Sequence, residues 1–153
     1  MWFMILVVVL ILFIVFYRFK NKNQNVNKLI DEAISVLDKF HGLVLASPAN
    51  LRGDLDDNFI NEIIITCKNR LNSSEYKRYY AIAVEKYGSV EKQVYDWLGG
   101  LLALMYTTKD DITETENKTL DWMLMLVNIE LKHLGAQTFF TKDKPMGTNV
   151  YPE

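Results

Sequence analysis

The chain of 153 residues carries 17 Lys and Arg against 19 Asp and Glu, and half of its residues are hydrophobic. Arg18, Lys20, Lys22 and Lys28 all precede the first acid, Asp31, so the rest of the chain sets 13 basic residues against 19 acidic ones, a net of −6. That acidity is a poor match for a phosphate backbone and argues against nucleic acid as a partner, while the single cysteine, Cys67, excludes an internal disulfide.

Residues Met1–Tyr17 contain no charged side chain. As a helix they measure about 25 Å, the short end of what crosses a hydrocarbon core about 30 Å thick. Trp2 and Tyr17 suit the headgroup level, and Arg18, Lys20 and Lys22 form a basic flank. A cleaved signal peptide places its positive charge before the apolar run and small residues after it. Here the order is reversed and no Ala-x-Ala-like site follows. The expectation is a retained transmembrane signal-anchor over residues 1–20, single-pass, with the N-terminus outside and the helical domain cytoplasmic by the positive-inside rule. The lipid bilayer is then an expected partner, attracting the basic flank and repelling the acidic domain.

Residues 21–27, NKNQNVN, form a polar juxtamembrane segment, either a joint or the solvated end of a continuous helix. From Lys28 to Ala46, Leu29, Ile30, Ala33, Leu37, Phe40 and Val44 recur at helical spacing, and Ser47-Pro48 stops the pattern. The stretch SPANLRGDLDDN is rich in turn residues. A second soluble helix fits Asn58–Leu71, carried by Phe59, Ile60, Ile63, Ile64, Cys67 and Leu71. Asn72-Ser73-Ser74-Glu75 resembles a capping box for a third helix, with Tyr76, Tyr79, Tyr80, Ala83, Val84 and Tyr87 on one face and Gly88 as its stop. Ser89 caps a fourth helix over Val90–Thr107, and Thr113-x-x-Glu116 opens a fifth that ends at Leu134-Gly135. Residues 136–153 read as a loose C-terminal tail. The fold class expected is all-α: an N-terminal transmembrane anchor helix followed by a compact bundle of about five helices over residues 28–135.

Three features of this bundle point to function. On the fifth helix, Leu120, Met123, Leu124, Val127, Leu131 and Leu134 form one apolar face, while Trp122, Met125, Leu126 and Ile129 cover most of the opposite side. A helix apolar nearly all round is either central in its bundle or offers its second face to a partner, and Trp and Met are favoured on such surfaces. On the fourth helix, Gly99, Gly100 and Ala103 leave room for a closely packed neighbour or permit a kink. Two acid-x-x-His pairs, Asp38/His41 and Glu130/His133, have the spacing used in carboxylate-bridged di-metal sites, with Glu62 and Glu85 as further candidate carboxylates. Against a metal, Asp38 has a shorter arm than the usual Glu, and all four residues lie at the edge of the strong apolar faces or beyond it. Surface pairing across a helical turn accounts for them more simply.

Other chemistries are excluded. Asp54, Asp56 and Asn58 begin like a calcium loop, but Phe59 and Ile65 stand where its Gly and Glu belong. No Walker loop, nucleophile elbow or Cys/His metal cluster occurs. Lys77 and Arg78 beside the tyrosine face suggest base stacking, which the acidity of the domain opposes. The reading is a helical adaptor or scaffold that binds a membrane or membrane-proximal protein, or a second copy of itself, at the membrane surface without a cofactor. The alternatives are a membrane-associated metalloenzyme and a phage or viral membrane component acting through its anchor.

Overall fold

The computed structural model describes residues 2–77 and 88–148, without the side chains of residues 2–10, 19–24, 145, 146 and 148. Its first element, α1, runs from Trp2 to Leu45 as one helix. The polar segment 21–27 lies inside it, as the absence of Gly and Pro there allows. Val26 and Leu29 are half-buried, and Ile30, Ala33, Val36, Leu37, Phe40 and Val44 are buried. The helix closes with Ala46 N–H donating to Gly42 C=O at 3.0 Å, and Pro48 cannot continue it.

This architecture overturns the transmembrane anchor expected over residues 1–20. Among the described residues, no helix is long and apolar enough to cross a membrane. The apolar start of α1 exposes the side chains of Ile11–Tyr17. It is not a separate rod either, since the same helix runs on through Arg18 into the amphipathic half that packs on the bundle. The signal-anchor, the single-pass membrane placement and the cytoplasmic assignment of the helical domain therefore lose their support. Of the flank that carried them, Tyr17 and Arg18 are exposed, and Trp2, Lys20 and Lys22 are described only as helical backbone.

The turn-rich stretch after Pro48 holds a single helical turn, α2 (Ala49–Arg52), braced by a two-pronged Arg52–Asp57 ion pair at 2.9 Å. In α3 (Asp57–Asn72), the Asp56 carboxylate caps the helix by accepting from Phe59 N–H at 3.0 Å. This helix buries Phe59, Ile60, Ile63, Ile64, Cys67 and Leu71, the residues that its helical spacing selects. Ser73, rather than Asn72, caps the next helical turn, its hydroxyl accepting from Tyr76 N–H at 3.3 Å. The tyrosine face beyond Tyr76, with Tyr79, Tyr80, Ala83, Val84 and Tyr87, lies outside the described residues, as do Arg78 and Glu85.

Ser89 caps α4 (Val90–Thr108), accepting from Lys92 N–H at 3.2 Å. The expected capping box opens α5 (Glu114–His133): Thr113 Oγ1 accepts from Glu116 N–H at 3.2 Å, and Glu116 Oε2 accepts from Thr113 N–H at 2.9 Å. At the far end, Gly135 sits at φ 70°, Ala136 N–H reaches Leu131 C=O at 2.9 Å and Gly135 N–H reaches Lys132 C=O at 3.0 Å. This paired return needs a left-handed residue, which Gly supplies without strain.

The segment read as a loose tail carries structure. Strands β1 (Phe139–Thr141) and β2 (Lys144–Thr148) pair antiparallel, Phe139 opposite Thr148 and Thr141 opposite Lys144, with a register irregularity between Phe139 and Thr141. The hairpin packs on α4 and α5. Helices α1, α3, α4 and α5 share one core, in which the Phe40 ring meets Tyr95 edge-on at 5.8 Å. The buried Thr119 hydroxyl joins two elements, accepting from Asp56 N–H at 2.9 Å and donating to Thr115 C=O at 2.8 Å.

Candidate functional site

The second face of α5 divides in two. Trp122 and Leu126 are half-buried against the core, and Trp122 Nε1 is buried with no hydrogen-bond partner among the described residues. Met125 and Ile129 remain 44% and 39% exposed. The helix is thus neither wrapped on all sides nor bare along its whole second face.

Met125 and Ile129 open onto a shallow groove of about 440 Å³ between α5 and β1. Leu124 completes its apolar floor, Phe140 stands in the hairpin wall, Tyr106 and Asp121 line the groove, and Lys132 and Lys142 supply positive charge. Tyr106 donates its phenolic O–H to the Asp121 carboxylate. Burial, and then that hydrogen bond, push the Tyr106 phenol above its ordinary value, so it stays a donor. Lys132 and Lys142 form no ion pair among the described residues.

The wall opposite α5 is held by two devices. The Asn128 side chain, on α5, hydrogen-bonds β1 at both backbone groups of Phe140: its Nδ2 donates to Phe140 C=O and its Oδ1 accepts from Phe140 N–H, each at 2.8 Å. The amide therefore imitates a neighbouring strand. The Phe140 ring fills a notch at Gly99, where a Cβ would stand 2.3 Å from its Cδ2. On another side the ring meets Gly147, where a Cβ would lie 3.0 Å from its Cε1. The neighbour for which Gly99 leaves room is thus an aromatic ring from the hairpin. Ala103, one turn on, is buried in the core, and Gly100 is half-buried.

The acid-x-x-His residues are not gathered into one cluster. Asp38 is engaged by Lys68, and His133 faces Glu130 at 3.8 Å across a turn of α5. His41 is half-buried, its Nε2 without a hydrogen-bond partner among the described residues. Glu62 lines a different cleft, between α3 and α4. Among the described residues, no three or more His, Cys, Asp or Glu side chains come close enough to hold a metal ion. Cys67 is buried, and that burial pushes its thiol up to about 12, so it is a packing residue rather than a nucleophile.

The sequence pattern singles out Met125 and Ile129 but gives no sign that Tyr106, Asn128, Phe140 and the two lysines line the same groove. The available signal was Phe139-Phe140 followed by a Lys-Asp turn and Gly147, a weak hairpin pattern beside a helix carrying Gly99. No protein family matches the chain, and no curated protein or solved structure is similar to it.

Proposed function

We propose that this protein is a helical adaptor whose α5–hairpin groove docks a protein partner, and that it acts by binding rather than by catalysis. The observation that supports this reading is the groove itself. Two large apolar side chains, Met125 and Ile129, stay exposed beside Phe140 on a wall that Asn128 and Gly99 hold in place. A concave apolar floor with a few polar groups at its margin is the usual form of a recognition site. Trp122 and Leu126, which the α5 pattern also suggested, are half-buried against the core. Replacing them tests stability and leaves docking unprobed.

A photo-crosslinking residue at position 125 of the full chain, expressed in its source cells, tests the proposal, with the same residue at exposed Glu62 as control. The expected result is a discrete adduct from position 125 only, lost when Ile129→Glu is added while the circular dichroism of the chain is unchanged. Equal labelling from both positions, or an adduct indifferent to Ile129→Glu, would remove the assignment.

A further inference from the structure

The groove also restricts what can occupy it, an inference that rests on the docking role proposed above. An extended peptide would bind by adding a strand to β1. In β1, Phe139 and Thr141 face β2 in the hairpin register, and the outward N–H and C=O of Phe140 are both taken by Asn128. No backbone edge is left for a new strand at that position, so an occupant must bind through its side chains. On the α5 wall, Asp121 and Lys132 are separated by about 16 Å of helix axis, the length of about three helical turns.

Charge narrows the choice further. The groove lining sets Lys132 and Lys142, which have no ion-pair partner among the described residues, against the single carboxylate of Asp121. The groove is therefore locally positive in a chain whose net charge is −2. A second copy is the poorer occupant, because the portions from Asp31 onward each carry a net −6 and repel one another. We propose that the groove takes an amphipathic helical segment of about three turns from another protein, apolar on one face and carrying Glu or Asp where that face meets Lys132 and Lys142.

The test uses the full chain and three fluorescein-labelled synthetic peptides read by fluorescence anisotropy. One has Leu at i, i+3, i+4 and i+7 with Glu at the flanking positions, the second replaces Glu by Lys, and the third interrupts the Glu peptide with a central Pro. The expected order is Glu peptide tightest, with the Lys peptide weaker by about fivefold to tenfold at low salt and the Pro peptide weaker still. Lys132→Glu with Lys142→Glu should reverse the preference for Glu over Lys, and Met125→Glu should weaken binding of the Glu peptide. Equal binding of the Glu and Lys peptides would overturn the charge assignment, and equal binding of the Pro peptide would overturn the helical one. In either case the docking role survives. If no peptide binds, the inference fails, and the adduct at position 125 separately decides whether docking fails with it. An adduct between two copies of this chain would overturn the choice of a foreign partner.

Discussion

The bundle and the hairpin are held by different means. In the bundle, burial is spread over many interchangeable apolar side chains: α3 alone buries six residues, and α1, α4 and α5 each add a comparable face. In the hairpin, which packs on α4 and α5, the most specific contacts among the described residues are single pairs, the Phe140 ring in the notch at Gly99 and the Asn128 amide on the Phe140 backbone. Distributed packing tolerates single changes of shape, because neighbours share the adjustment. Contacts that depend on one particular pair are less forgiving. The candidate groove uses both regions, with a floor from the bundle helix α5 and a wall from the hairpin, so its integrity follows the more fragile of the two.

The largest effect should come from breaking the seat at its ring. Phe140→Ala removes a side chain that is 4% exposed and should cost about 3 kcal/mol, the low end for such truncations because a hairpin can settle into the space. Urea unfolding measures the loss. Gly99→Ala attacks the same contact from the other side. Its Cβ would stand 2.3 Å from Phe140 Cδ2, and displacing the ring should cost about 1–3 kcal/mol. In the Phe140→Ala background the obstacle is gone, and the same Gly99→Ala should instead stabilise by up to about 1 kcal/mol through helix propensity. That change of sign in a double-mutant cycle is the sharpest signature of the notch. Equal costs in both backgrounds would show that Gly99 serves the backbone of α4 and not the ring.

Asn128→Ala should come next, at about 1–3 kcal/mol, because it leaves the N–H and C=O of Phe140 without their partner. Amide hydrogen exchange locates the loss. The Phe140 N–H should exchange faster while the amides of α3 keep their protection, since opening the hairpin leaves the core intact. A uniform loss across α3 would show that hairpin and bundle open together and would erase the distinction between them.

How far each region was legible follows from the same difference. Helical periodicity picks out the buried face of α3, and local capping signals at Ser89, Thr113 and Gly135 mark where α4 and α5 begin or end. These are properties of neighbours in the chain. The hairpin depends on pairs distant in sequence, Gly99 with Phe140 and Asn128 with Phe140, and no local pattern encodes them. Its turn, Lys142-Asp143, lacks the Asn-Gly or Asp-Gly signal of a two-residue hairpin, and Pro145 lowers the strand reading further. Asn128 carries no local signal of its role because its partner is backbone, which has no sequence identity. The apolar start of α1 misled in the opposite way. Its composition predicts an anchor, whereas no helix among the described residues is long and apolar enough to cross a membrane, and α1 continues without a break into the half that packs the bundle.

The smaller predictions perturb the bundle and should leave the seat alone. Thr113→Ala removes the cap of α5 and should cost about 1 kcal/mol, with no selective change at the Phe140 amide. The least effect concerns the other half of that capping box. The Glu116 carboxyl is held below its ordinary value, first by the hydrogen bond from Lys109 and then by the Thr113 N–H, while burial acts the other way. A lowered carboxyl value in the folded state means that the folded chain binds this proton less readily than the unfolded chain does. Its contribution is therefore complete above the unfolded carboxyl pKa and fades as pH falls through the lower folded one. Urea midpoints of the native chain and of Glu116→Gln should differ most near neutral pH and converge in acid. The Lys109 contact 4.3 Å over the Phe59 ring is present in both chains and cancels between them, and a protonated Glu116 is as neutral as the Gln that replaces it. The two curves should accordingly approach one another without the native chain falling below the variant. A gap that widened in acid would mean that Glu116 is held by something other than Lys109 and the cap.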